Sequence, residues 1–599
     1  MARLIRTEKE VEGRYEEVFL VVEEDALEQW PAGAREIVGR PAVRADGIER
    51  ATGQAIYTAD LKLPGMLHAA VLRSPHPRAR VTRLDLAAAL ASPGVHAAIA
   101  PDDLDELTSE PAFQGAAIAA VCADTLAQAR VALRAIEVEY EVLEPLLDPD
   151  EAVRRGELLG EARVRDRGDY ERGLAEADVV LEAEFRTQVV LHNSMETHQS
   201  VVEWVGDGVE VHISTQFIWG VRDGVAERLG LPPDKVRVVC NYMGGGFGSK
   251  NSPDDHTFIA AELAKRTRRP VKCALTRREE NTSAGNRNAT IQRLTVGARS
   301  DGTLTALGGE FVNAVGWDGW SSGTEGPMQM LYACENVKTT TYGAKLNLPP
   351  MKAFRAPGFV EGTFGLEALL DELAAKLGLD PLELRRRNYA EQTPEGGAYS
   401  SKNLLECYRR AEPHWERRHE VRARSTEVVK RGVGMASQIW YGGGGPPSYA
   451  WVRVGSDGRA TVVTAMQDIG TGTKTAMAMI AAEELGIPLE HVTVSVGDSA
   501  RGPYASISAG SSTTPSMGPA VRAAAADARE QIEEIAEQRG LKGAPIAEVV
   551  DVLEDAQILG KGGRGPNPTG MQVLTFGVQV AEVAVDVETG EVWVERIAA

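Results

Sequence analysis

The feature that most constrains this fold is a unit that occurs twice. In the first copy an apolar strand precedes Gln216, a helical stretch ending Leu229-Gly230-Leu231-Pro232, a short apolar strand at 236–239 and a glycine-dense loop. In the second, a strand at 460–465 leads to Gln467, a helical stretch ending Leu485-Gly486-Ile487-Pro488, a strand at 492–496 and a glycine- and serine-rich loop over 497–512. Glycine after the last helical residue with proline close behind is ordinary helix-stop chemistry. Helix stops alone do not generate two such loops at corresponding strand ends. Two similar α/β lobes facing one elongated ligand are therefore expected.

Four loops carry the candidate chemistry. The first is Met243 followed by Gly244, Gly245, Gly246, Phe247, Gly248, Ser249 and Lys250. Glycines this dense leave backbone N–H groups unshielded, and a concave row of them binds anionic oxygens. Ser249 stands where a dinucleotide fingerprint needs its third glycine, and Gly248-Ser249-Lys250 is the wrong order for a P-loop. The second loop, Ala353 to Gly358, has Pro357 disfavouring helix and Arg355 offering a planar fork to an anionic or oxo group; a surface ion pair is the alternative. The third, from Gln467 through Gly470, Thr471, Gly472 and Thr473 to Thr475, opens a helix whose first-turn N–H groups suit an anion, or are simply capped. The fourth brings Ser511, Ser512, Thr513, Thr514 and Ser516 before a long helix expected over 518–538, where capping needs only one hydroxyl.

Bulk properties narrow the class. At 599 residues and 43% apolar content the chain can fill about three or four domains. A formal charge of -21 with no basic block argues against nucleic acid and anionic membrane partners. No stretch reaches the roughly 18 apolar residues of a membrane span, and the N-terminus has no signal pattern, so a cytoplasmic protein is expected. The five cysteines lie far apart, without a C-x-x-C pair, so neither a zinc site nor an iron–sulfur cluster is encoded. His192 and His198 are six residues apart, a spacing that does not put them on one helical face. No metal ligand is assigned to a side chain.

The expected organisation is α+β: a charged arm at 1–35 with one strand at 18–22, a compact domain at 36–150, a lobe at 165–425 and a second lobe at 430–599. A charged run at 412–431 marks the boundary between the lobes.

These four loops, in this order and at these separations, resemble those of the molybdenum-binding subunit of the xanthine dehydrogenase and aldehyde oxidase family. Gly53-Gln54-Ala55-Ile56-Tyr57-Thr58-Ala59-Asp60 and Arg73-Ser74-Pro75-His76-Pro77 are similar to that family's hammerhead domain, as is the stretch 367–388 with Gly378-Leu379-Asp380-Pro381 to the family's first lobe. The resemblance implies a pyranopterin molybdenum cofactor, usually a cytosine dinucleotide in bacteria, between the lobes. It places Gly245, Gly246, Phe247, Gly248 and Arg355 near the metal, Gln467, Gly470, Thr471, Gly472 and Thr473 on the pterin side, and Ser511, Ser512, Thr513, Thr514 and Ser516 along the phosphates. The metal is held through the pterin. The implied reaction hydroxylates an electron-poor carbon with water-derived oxygen, and electrons leave through 2Fe-2S and FAD subunits, which must be separate polypeptides.

Departures from the family pattern bear on substrate. Asn251 replaces a glutamate of purine-hydroxylating relatives, Pro357 a phenylalanine that packs on the ring, and Gly323 an arginine that grips purines. Trp440 stands where relatives have a pocket aromatic, and Val190 where many have a glutamine. The carbon monoxide branch needs a cysteine in the second loop, which this chain lacks. An aldehyde or aromatic N-heterocycle is expected over xanthine. The family's general base lies in a Gly-x-Gly-Glu segment absent before Ala599; Glu325 is a poor substitute, and a base within the chain would be sought first at Glu325 and Glu361. A further chain supplying that segment is expected for full activity; the alternative is a cofactor-bearing or assembly protein without catalysis. The strands 580–587 and 592–597 are expected to form a hairpin with an exposed apolar edge.

Overall fold

The computed structural model describes residues 2–11, 14–23, 30, 35–567 and 571–599. Part of the expected arm lies outside these residues. Within it, Ala2–Val11 pairs antiparallel with Arg14–Glu23, two strands where one was expected.

The strand Ala117–Ala123 is buried along its whole length. A run apolar on both faces needs cover on both sides, and it receives it. Leu67, Ala69 and Val71 of the neighbouring strand join one core cluster, while Ala70 joins another with Ala129 and Ala132 of the helix Leu126–Leu133. Thr125 caps this helix by accepting from the Gln128 N–H.

The compact domain expected at 36–150 does not own its sheet. Seven strands run in the order Val236–Val239, Gly208–Ile213, Gln199–Val205, Val271–Ala274, Leu67–Arg73, Ala117–Ala123, Val95–Ile99. Strand Leu67–Arg73 pairs parallel with Val271–Ala274, joining the hammerhead region to the first lobe. A five-stranded sheet containing Thr290–Ala298 and Leu304–Val315 completes that lobe, covered by the helix Phe359–Leu377.

The repeat appears as two βαβ units. Gly208–Ile213, the helix Ile218–Leu229 and Val236–Val239 form one, with parallel pairing; Ala460–Val463, the helix Thr473–Leu485 and Val492–Ser495 form the other, also parallel. Both helices end on left-handed glycines, Gly230 and Gly486. The units dock end to end: Cys240 N–H donates to Gly497 O at 2.7 Å, and Arg237 pairs with Asp498 at 2.6 Å. A Cβ on Gly497 would sit 2.1 Å from the Cys240 carbonyl oxygen, so only glycine permits this approach.

The charged run has partners, and one helix start needs correction. The charged run at 412–431 is largely helical, from Leu404–Glu416 into Arg418–Ala423, and its charges are paired: Arg417 with Glu582 at 2.8 Å and Arg418 with Asp380 at 2.7 Å. The long helix begins at Thr513 and runs to Arg539, so Thr513, Thr514 and Ser516 lie in its first turns. Pro515 is tolerated there because first-turn N–H groups have no intrahelical acceptor. The C-terminal hairpin forms as expected, with Leu574–Asp586 antiparallel to Val592–Ala598. All five cysteines are free thiols, and among the described residues no helix is long and apolar enough to cross a membrane.

Candidate active site between the lobes

A cavity of ≈ 1370 Å³ opens between the two βαβ units. Its first wall is the glycine loop, where Gly245, Phe247 and Gly248 all adopt positive φ. What holds this turn is a buried lysine. Lys250 Nζ donates to the carbonyls of Glu196 at 2.7 Å and Gly245 at 2.9 Å and to Ser214 Oγ at 2.9 Å, so each ammonium proton has an acceptor. Burial lowers the Lys250 pKa to about 8. The Glu196 carboxylate accepts from Gly244 N–H at 2.8 Å and from Ser214 Oγ at 2.8 Å, tying the loop's start to the same network.

Gln216 joins the lobes. Its Oε1 accepts from Gly248 N–H at 2.7 Å and its Nε2 donates to Ser508 O of the second lobe at 2.8 Å. A Cβ at Gly246 would lie 2.5 Å from that Oε1, which explains the glycine. Sequence reading treats Gln216 only as a marker of the repeat; the structure gives it a place on the cavity wall.

The second loop is set by Arg287, a residue no motif flags. Buried beneath the loop, Arg287 donates to the Phe354 and Arg355 carbonyls and pairs with Glu361 at 2.6 Å. Burial raises the Glu361 pKa. Arg355 and Ala356 both sit at positive φ, a conformation unfavourable for non-glycine residues unless surroundings impose it. Arg355 itself is exposed to the cavity, and its guanidinium finds no acceptor among the described residues. It is not a surface ion pair. His192 Nε2 donates to Ala353 O at 2.8 Å, and burial lowers its pKa to about 4.

In the third loop Asp468 consumes part of the expected anion cradle. Its carboxylate accepts from the N–H groups of Gly470, Gly472 and Lys474, which shapes the turn and leaves fewer free donors.

Of the residues singled out from sequence, Gly245, Phe247, Gly248, Asn251, Arg355, Pro357, Trp440, Gly470, Thr471, Thr473, Ser511, Thr513 and Thr514 line the cavity. Gly246, Gln467, Gly472, Ser512, Ser516 and Gly323 do not. Gln467 is buried, donating to Ala465 O; Ser512 Oγ folds back to Ala509 O; Ser516 Oγ accepts from Gly445 N–H. Gly323 packs beside Gly358. Trp440 stands edge-on to Phe359, ring centroids 4.9 Å apart. No carboxylate lines the cavity among the described residues. Glu325 is buried against Arg163 at 2.8 Å, and Glu361 against Arg287.

Residues 52–144 match the aldehyde oxidase and xanthine dehydrogenase a/b hammerhead domain, and residues 156–389 and 409–599 each match a molybdopterin cofactor-binding domain. The aldehyde oxidoreductase molybdenum-binding subunit PaoC of Escherichia coli K12 is 33% identical over 505 residues, covering 78% of this chain and 67% of that one. The chain belongs to the molybdenum-binding subunits of the xanthine dehydrogenase and aldehyde oxidase family. A further family member, the nicotine 6-hydroxylase large subunit of Paenarthrobacter nicotinovorans, is 26% identical over 567 residues, covering 84% of this chain and 69% of that one. Quinoline 2-oxidoreductase of Pseudomonas putida 86 shares the fold at a TM-score of 0.85, with 24% identity over 96% of this chain and 83% of that one. The chain thus spans about two thirds of the length of these two curated relatives.

The cavity fits the family's cofactor. It exceeds the roughly 300–1,000 Å³ of an ordinary small-molecule pocket, leaving room for an elongated cofactor and a substrate. Gly470 and Gly510 line it with nothing among the described residues within 4 Å of where a Cβ would stand, so the wall is open at both positions.

Proposed function

We propose that this chain is the catalytic molybdenum-cofactor subunit of a hydroxylase acting on an aldehyde or aromatic N-heterocycle. The observation that carries the reading is one part of the cavity wall. Met195, Phe247, Val360, Phe364 and Trp440 make it apolar, and Val360 and Phe364 share one face of their helix. A flat uncharged ring matches that chemistry better than a purine anion. Asn251 and Pro357, both on the cavity wall, lack the carboxylate and ring of purine-hydroxylating relatives.

When bound, the molybdenum pyranopterin supplies two-electron oxidation of a substrate carbon with water as the oxygen source. The chain's own contribution is to hold and orient. Gly245 and Phe247, with Thr471, Thr473, Ser511, Thr513 and Thr514, present N–H and hydroxyl groups to the cofactor, here taken as the cytosine dinucleotide form. Arg355 faces the reacting region with an uncommitted guanidinium, and Trp440 and Phe364 exclude water around the substrate. Separate 2Fe-2S and FAD subunits take the electrons, since the five thiols are dispersed through the fold. The five free thiols fit a reducing, cytoplasmic compartment.

Water must lose a proton on attack, and a carboxylate base is typically worth about 10²–10⁴-fold in rate. With none on the described cavity wall, we assign the base to a further polypeptide segment, continuous with this chain or separate. The strand Val592–Ala598 offers its docking edge, where Val592, Val594 and Ile597 are about 60% exposed. A cofactor-carrying role without catalysis is the second reading, favoured by the same missing carboxylate. Turnover of an aromatic aldehyde and of xanthine by the assembled holo-complex tests the proposal. Aldehyde oxidation well ahead of xanthine is expected; equal rates refute the substrate class, and a fully loaded but inert complex favours the carrier role.

A further inference from the structure

The segment 44–59 lies outside every loop motif, and its first eight residues precede the matched hammerhead domain. Yet it is fastened to both lobes at their cavity-facing loops. On the second lobe, Arg44 Nη1 donates to Gly470 O at 2.8 Å and Ala45 N–H to Thr475 Oγ1 at 2.9 Å. On the first, Ala59 N–H donates to Glu196 Oε1 at 3.2 Å, the carboxylate that also holds Gly244. Lys272 Nζ fixes the Thr58 carbonyl at 3.1 Å, and the Tyr242 hydroxyl donates to Glu49.

Between these anchors Arg50 reaches the cavity wall beside Tyr57. Its Nε donates to the buried Asp46 at 2.6 Å and its Nη1 to the Tyr57 hydroxyl at 2.8 Å. The Tyr57 and Tyr242 rings lie 5.7 and 5.3 Å from its guanidinium carbon. The fork is therefore immobilised before any ligand arrives. Its Nη2 has no acceptor among the described residues. A buried donor left unmatched is destabilising, and a prepositioned one is what a ligand acceptor exploits.

We infer that residues 44–59 form a third wall of the cofactor site, a strap across the two lobes, and that Arg50 donates to an oxygen acceptor of the bound pyranopterin. The inference rests on the cofactor reading above. Asp46, Glu49 and Asp468 balance Arg44, Arg50 and Lys474, so recognition here is by a directed hydrogen bond and not by net charge. The strap adds a tie between the lobes to those made by Gln216 and the Cys240–Gly497 junction.

The test compares wild-type protein, Arg50→Ala and Arg50→Lys, each purified from a cofactor-producing host. Two quantities are read: pterin per chain after gel filtration, and the rate of pterin release on dilution. Melting of the cofactor-free forms controls for folding. Wild type should retain pterin while both variants release it at least about tenfold faster, since a charge-assisted bond is lost, with cofactor-free melting unchanged. Arg50→Lys keeps the Asp46 ion pair and carries the test if Arg50→Ala does not fold. Equal retention and release in all three overturn the inference. Wild type without pterin instead overturns the cofactor reading, and the inference falls with it.

Discussion

Replacing Arg287 by methionine should loosen the loop that presents Arg355. The Arg287 and Glu361 side chains are only 7% and 2% exposed, and their ion pair at 2.6 Å is the main compensation for burying either charge. Removing one member of such a pair costs about 3–5 kcal/mol. The Phe354 and Arg355 carbonyls also lose charged donors. Protonation of Glu361, whose pKa burial already raises, offsets part of this. A net loss of about 3 kcal/mol is expected, concentrated where two consecutive non-glycine residues hold positive φ. A chain of several domains does not unfold in two states, so the assay is amide hydrogen exchange read on peptides covering 353–362. Roughly hundredfold faster exchange is expected there, with little change in the hammerhead strands. Replacing Glu361 by leucine as well should recover much of the loss, giving a coupling of about 2 kcal/mol. Unchanged exchange at 353–362, or a double variant that simply sums the two single effects, would refute the reasoning.

Lys250→Met should release the glycine loop, because Glu196 O, Gly245 O and Ser214 Oγ lose their common donor; cofactor content should fall more than melting temperature, and full loading would count against the lysine's role. Stability should fall as pH drops from 6.5 toward 4. His192 and His256 have native pKa values lowered to about 4 by burial, so in this window the unfolded chain binds more protons than the folded one. Each contributes about 3 kcal/mol across the window; a His192→Gln variant should show a shallower pH dependence of melting, and an identical slope would contradict the assignment. Xanthine turnover should trail an aromatic aldehyde by about one to two orders of magnitude per missing polar contact, measured as kcat/KM in the assembled complex. Purine turnover that matches the aldehyde's would put the reading of Asn251 and Pro357 in error.

Local chemistry made much of this protein legible from its residues. The βαβ repeat is written in periodicity and in the helix stops at Gly230 and Gly486, and the C-terminal hairpin in its alternating apolar strands. What sequence could not supply were contacts between distant segments. Arg287 and Glu361 are 74 residues apart, and nothing local to either signals the pair. The sheet shared by Leu67–Arg73 and Val271–Ala274 depends on a pairing only the folded chain creates. Charges at 412–431 show no partners in the sequence, because Asp380 and Glu582 lie far away along the chain. At Thr513 the hydroxyl-rich composition pointed to a loop, whereas the first helical turn tolerates both hydroxyls and Pro515. For the site, the glycine loop and Arg355 were visible, while Gln216, Lys250 and Arg50 acquire their roles only through geometry.

The central claim is that a molybdenum pyranopterin lies between the lobes of this chain. Molybdenum and released pterin per chain, measured on purified wild type and on Thr514→Trp, test it most directly, because Thr514 is exposed on the cavity wall and an indole there would intrude on the cavity. Near-stoichiometric molybdenum and pterin in wild type, and their loss from a Thr514→Trp protein that melts normally, are the results expected. Wild type carrying zinc or no metal, or Thr514→Trp loaded as fully as wild type, would contradict it.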